Sequence, residues 1–241
     1  GGLLHFAVLL SGRYVITLKP ELMAVDFGIM RRLLRIGIPA SLERMVMSSS
    51  FMVYTGIIVA FGTIPLAATQ IGIRIEALSF MPGVGFSVAA AALVGQSLGA
   101  EDRDKAYSIG WDTTKLAMLF MGGMGLIMMI FAPWLIRIFT DDPEAIRLGT
   151  LYLRIVGLLQ PFQALLFVLA GSLDGAGDTR WVLYTTVLGL WVMRLPLAYV
   201  SGVTLGLGVL AAWLAMFVDV IARSVVLGMR YRSRKWMDIT V

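Results

Sequence analysis

The feature that most restricts this chain is a succession of apolar runs, most of them as long as a lipid bilayer is thick. A hydrocarbon core of about 30 Å is crossed by a helix of about 20 residues. The runs cover residues 3–18 (short, and interrupted by Arg13), 36–61, 66–98, 107–131, 145–173, 181–200 and 209–229. In lipid, a backbone with no water to bond must pair its polar groups within each segment, so runs of this length imply helices. Barrel strands would instead alternate over roughly 10 residues. Composition agrees: of 241 residues, 59% are hydrophobic and 15% charged, with mean hydropathy +0.85. A soluble domain is about 45–50% apolar and about 25% charged. The fold class expected is therefore all-α: a polytopic transmembrane bundle, with one six-helix lobe preceded by the end of another helix.

The charges orient the bundle. If the connection at residues 19–35 faces the cytoplasm, the inner set holds Lys19, Arg31, Arg32, Arg35, Arg103, Lys105, Arg180, Arg230, Arg232, Arg234 and Lys235. The outer set holds only Arg137 and Arg147, and the other seven basic residues lie within or at the ends of runs. An excess of this sign on one side sets topology. It also accounts for the net charge of +5 without nucleic acid, since inner-leaflet lipid is anionic. Trp111, Trp134, Trp181, Tyr199 and Trp236 fall near run ends, where amphipathic rings settle at the interface. Residues 31–35 read either as a short amphipathic helix on the inner surface or as a solvated loop helix.

Three domains are expected: residues 1–35, the end of a preceding helix and a linker; residues 36–229, the lobe; and residues 230–241, a basic tail. The chain opens on Gly1-Gly2-Leu3, its first methionine is Met23, and no signal-peptide pattern precedes the first run. It reads as the C-terminal piece of something longer.

Polar groups at bilayer depth mark the candidate site, because each costs several kcal/mol unless it faces protein or a wet cavity. Glu43 lies about 10 Å inside its helix. It is either a proton- or cation-linked carboxylate or the structural partner of an arginine. Met47 shares its face one turn deeper. Gln70, Arg74 and Glu76 form a second group, lining a polar cavity or clamping two helices. Gln160 and Gln163 flank Pro161 and share a face; they satisfy the carbonyl that proline frees or contact a substrate. Pro82 and Pro161 are the expected hinges. Asp219 and Arg223, spaced i, i+4, read as an internal salt pair. Asp178 or Thr179 is expected to cap the helix after the 175–179 turn. Cysteine is absent, His5 is the lone histidine, and no HExxH, GxSxG or phosphate-loop motif occurs. No enzyme and no cofactor is expected.

Four stretches carry a resemblance: Gly37-Ile38-Pro39-Ala40; Pro82-Gly83-Val84-Gly85-Phe86 running on to Gly95-Gln96-Ser97-Leu98-Gly99-Ala100; Phe139-Thr140-Asp141-Asp142-Pro143-Glu144; and Ala170-Gly171-Ser172-Leu173-Asp174-Gly175-Ala176-Gly177-Asp178-Thr179-Arg180. In order and spacing they resemble the C-terminal half of multidrug and toxic compound extrusion (MATE) transporters. The resemblance implies two six-helix lobes, of which this chain is the second, with the N-terminal lobe as its partner. It implies alternating-access export of organic cations or amphipathic drugs against H⁺ or Na⁺, from a bacterial inner membrane. The best-known branches carry carboxylates that align with Met47 and Gln163 here, so the chain instead resembles the branches whose coupling site lies in the N-terminal lobe. A related lipid or polysaccharide flippase, or a membrane fragment that transports nothing, are the alternatives.

Overall fold

A computed structural model describes residues 27–239. The first apolar run, with His5, Arg13 and Lys19, lies outside the described residues. The described chain is helical throughout and contains no strand. Six helices occur in order: α1 (Phe27–Val59), α2 (Thr63–Gly99), α3 (Arg103–Arg137), α4 (Pro143–Gly175), α5 (Thr179–Thr204) and α6 (Val209–Arg232), then a 3₁₀ turn at Lys235–Asp238. The chain divides into two units, Gly1–Gly37 and Ile38–Val241, and the second holds the bundle. In the first, Phe27, Leu33 and Leu34 are exposed.

Five of the helices, α2 to α6, are long and apolar enough to cross a membrane. α1 is not among them; it carries Arg31, Arg32, Arg35, Glu43 and Arg44. Residues 31–35 are helical, within the bounds of α1. The connections are three to five residues long, so consecutive helices run antiparallel. Two starts are set by capping aspartates: Asp102 accepts from the Lys105 amide at 3.0 Å, and Asp142 from the Ala145 amide at 2.7 Å, with Pro143 in the first turn. The bundle's outward surface is apolar to a degree water would not tolerate: Met52 and Leu119 are each 76% exposed.

α4 runs through the centre, packed against α2, α3 and α6, with Tyr152, Leu153, Val156, Leu159, Val168 and Leu169 buried along it. It meets α3 at a pair of glycines. A Cβ on Gly125 would collide with the Gly157 carbonyl, and one on Gly157 would meet the Gly125 carbonyl. Small residues at such a crossing let helix backbones approach closely where lipid provides no hydrophobic drive.

The turns and the tail that carry most of the basic residues gather at one end. Arg103 pairs with Asp238 at 2.8 Å, Arg234 with Asp104 at 2.9 Å and Arg230 with Asp178 at 2.8 Å. Asp178 holds the N-cap position of α5, but its side chain goes to Arg230 and makes no cap bond, contrary to the sequence expectation. Burial pushes its carboxyl up from the ordinary range, and the Arg230 guanidinium pulls it back. Trp236 also departs from expectation. It is no interfacial anchor: it is fully buried, stacked on Tyr231 at 4.7 Å, and its Nε1 donates to the Tyr231 carbonyl at 2.9 Å. The Tyr231 hydroxyl in turn donates to the Ala106 carbonyl at 3.0 Å. The tail thereby ties the end of α6 to the start of α3.

Candidate functional site

Between α1, α2, α4, α5 and α6 lies a cavity of about 530 Å³, the size of a drug-sized ligand site. Much of its wall is aromatic: Phe51, Tyr54, Phe80, Tyr152 and Phe167. Among the described residues that line it, Glu76 is the one acid, and Arg194 and Arg223 are the only bases. Glu76 sits on α2. Its Oε1 accepts from Gln163 Nε2 at 3.3 Å and its Oε2 from the Tyr152 hydroxyl at 3.4 Å, both on α4. Both bonds are long, so the carboxylate is oriented without being saturated.

The opposite sign enters from α5 and α6. Asp219 is fully buried and is shared by two arginines. Arg223 reaches it from one turn further along α6, with Nε to Oδ1 at 2.8 Å and Nη2 to Oδ2 at 2.9 Å. Arg194 reaches it from α5, with Nε at 2.9 Å and Nη2 at 2.7 Å from Oδ2. A buried carboxylate persists only when paired this well. Two details of α5 permit the approach. Its Leu188–Arg194 stretch is π-helical, with a wider turn than an α-helix, a local form often found at functional sites. Gly189 lies against the pair, where any Cβ would collide with Asp219 and Arg223.

Of the residues singled out from sequence, Met47, Gln70, Glu76 and Gln163 line the cavity. The other three lie outside its lining. Glu43 is half-buried beside α5, where its Oε1 accepts from Thr186 Oγ1 at 3.1 Å; it forms no ion pair with an arginine among the described residues. Arg74 is exposed and has no ion pair among the described residues, so it neither joins Gln70 and Glu76 in a polar wall nor clamps Glu76. Gln160 does not share the surroundings of Gln163. It is fully buried, accepts from Ser79 Oγ at 2.7 Å and packs against Gly125. Pro82 and Pro161 each lie inside a helix that continues on both sides. The expected Asp219–Arg223 pair is present.

Arg194 joins the site without having stood among the residues expected there from the sequence. Its signal was there: an arginine in a run that is otherwise apolar from Trp191 to Val200, with no acid within a helical turn. Tyr54, Tyr152 and Thr186 gave no comparable signal. Tyr54 donates to the Ala212 carbonyl at 2.9 Å and lies under the Arg194 guanidinium at 5.8 Å. Among the described residues, no group of three or more acidic or histidine side chains is placed to hold a metal ion.

A family model described as MatE matches residues 39–200. A probable multidrug resistance protein NorM of Thermotoga maritima is 35% identical over 222 residues, covering 91% of this chain and 47% of that protein. The uncharacterized transporter YisQ of Bacillus subtilis is 29% identical over 209 residues, covering 87% of this chain and 46% of its own. A crystal structure of MATE in the straight conformation superposes with a TM-score of 0.86 at 19% identity, over 97% of this chain and 53% of that one. The chain spans about half the length of the curated relatives it matches.

Proposed function

This chain belongs to the MATE family of membrane transporters, and on that premise we propose that it forms the C-terminal lobe of a cation-coupled antiporter. Its partner is an N-terminal lobe of the same protein. The cargo is an organic cation or amphipathic drug, exported across the bacterial inner membrane in exchange for H⁺ or Na⁺. The reading is supported by relatives named for multidrug resistance and by a chain built largely of apolar helices.

The observation that carries the mechanism is the position of Glu76, the one acid in an aromatic cavity within the bundle. A carboxylate there is expensive unless a cation compensates it. Arg194 compensates it in part from a distance without touching it, and the coupling ion or the cationic group of the cargo supplies the contact, the two competing. Aromatic faces add attraction for the cargo's positive charge. Alternating access then carries the site from one side of the membrane to the other while the lobes rock as rigid bodies.

The test is efflux of a fluorescent organic cation from proteoliposomes holding the full-length protein, under an imposed Na⁺ or pH gradient. One of the two gradients drives transport in the wild type. Transport indifferent to both would overturn the coupling.

A further inference from the structure

We propose that Arg194 and Arg223 form an anion subsite in the cavity wall, which takes the carboxylate of an aromatic, amphipathic ligand. This rests on the reading of the cavity as a ligand site and adds a charge preference opposite to the one Glu76 provides.

The argument begins with charge. Two guanidiniums converge on Asp219, which carries one negative charge and is fully buried. The cluster therefore keeps one positive charge, and both arginines line the cavity. The nearby acids do not cancel it by contact. Glu76 takes its hydrogen bonds from Gln163 and Tyr152, and Glu43 takes its bond from Thr186; neither forms an ion pair with either arginine. Glu76 and Glu43 act on the arginines only from beyond hydrogen-bond contact, and a positive charge with no second acid against it in a low-dielectric wall attracts a counter-ion more strongly than it would in water.

Hydrogen-bonding capacity points the same way. Each guanidinium offers five N–H donors in a planar fork. In both arginines Nε and Nη2 go to Asp219, while Nη1 of each has no hydrogen-bond partner among the described residues. Asp219 fixes the two forks in place, which removes the entropy cost of assembling them around a ligand. A carboxylate has two oxygens, one to accept from each free Nη1 group in a charge-assisted hydrogen bond. The rest of the ligand is set by the wall, where Phe51, Tyr54 and Phe80 offer ring faces. A ligand with an ammonium as well as a carboxylate would meet both Glu76 and the arginines.

The test is equilibrium binding of dansylglycine, dansylamide and dansylcadaverine to the full-length protein in nanodiscs, read by dansyl fluorescence. These share one aromatic body and differ in charge. Dansylglycine binds at least about tenfold more tightly than dansylamide, as a hydrogen bond to a charged group implies. Arg194→Gln brings the two close to parity, and Arg194→Lys, which keeps the charge and the pairing to Asp219 but loses the fork, retains part of the preference. Equal affinity in the wild type overturns the proposal, with no variant required. So does a preference that both Arg194 variants leave unchanged. Gradient-driven efflux is a separate readout: its loss with the carboxylate preference intact would sink the antiporter reading alone.

Discussion

Gln163 on α4 donates to Glu76 on α2 at 3.3 Å, across 87 positions of sequence. The family resemblance points to a carboxylate at position 163, and this chain departs from that pattern. Here an amide stands at that position and the acid comes from the neighbouring helix, with Tyr152 as its second donor. The amide and the phenol can hold the carboxylate whether its charge is met by a proton or by another cation.

Glu76→Gln removes that charge and keeps the shape. Gradient-driven efflux in proteoliposomes falls to the protein-free background, while the variant still accumulates and melts as a folded protein. Coupled transport at the wild-type rate would remove Glu76 from the pathway.

Glu43→Gln keeps an oxygen for the Thr186 hydroxyl, so folding is retained. The efflux rate slows in the proteoliposome assay. Unchanged rates, together with a loss of about 1 kcal/mol of stability in Thr186→Val, would assign Glu43 to structure.

Asp219→Asn leaves two guanidiniums without their shared counter-charge. Removing one member of a buried ionic group costs about 3–5 kcal/mol, so this variant accumulates poorly in membranes. Arg223→Met leaves a one-to-one Arg194–Asp219 pair and is far better tolerated. Equal expression of the two, compared by quantitative immunoblot, would contradict the charge assignment.

Gly125→Ala forces a methyl group onto the Gly157 carbonyl at the α3–α4 crossing. Overpacking of this kind costs about 1–3 kcal/mol. The melting temperature in detergent drops, whereas Gly123→Ala, at a site with open space around it, leaves it unchanged.

Trp236→Ala empties a buried site under Tyr231 and releases the tail from the start of α3. Truncation of a buried tryptophan costs about 3–5 kcal/mol. Protease cleavage after Arg230 or Arg232, slow in the wild type, becomes fast in the variant; equal cleavage rates would show that the tail is loose already.

The helices and their turns were legible in the sequence because lipid makes them a local matter. Each run must bond its own backbone, so length and hydropathy announce it. The Asp219–Arg223 pair was legible for the same reason, since both residues stand on one helix one turn apart. The partners across helices were not. Arg194 meets Asp219, Glu76 meets Gln163, and Gln160 turns instead to Ser79; each contact depends on how helices are rotated against one another. In α5 the π-helical turn at Leu188–Arg194 alters that rotation part-way along, so counting by the 3.6-residue period misplaces the side chains beyond it. Sequence alone determined that this chain lies in a membrane as helices. Only the packed bundle decided which charges share a cavity, because a side chain's azimuth is set by the neighbour it packs against and not by its own segment.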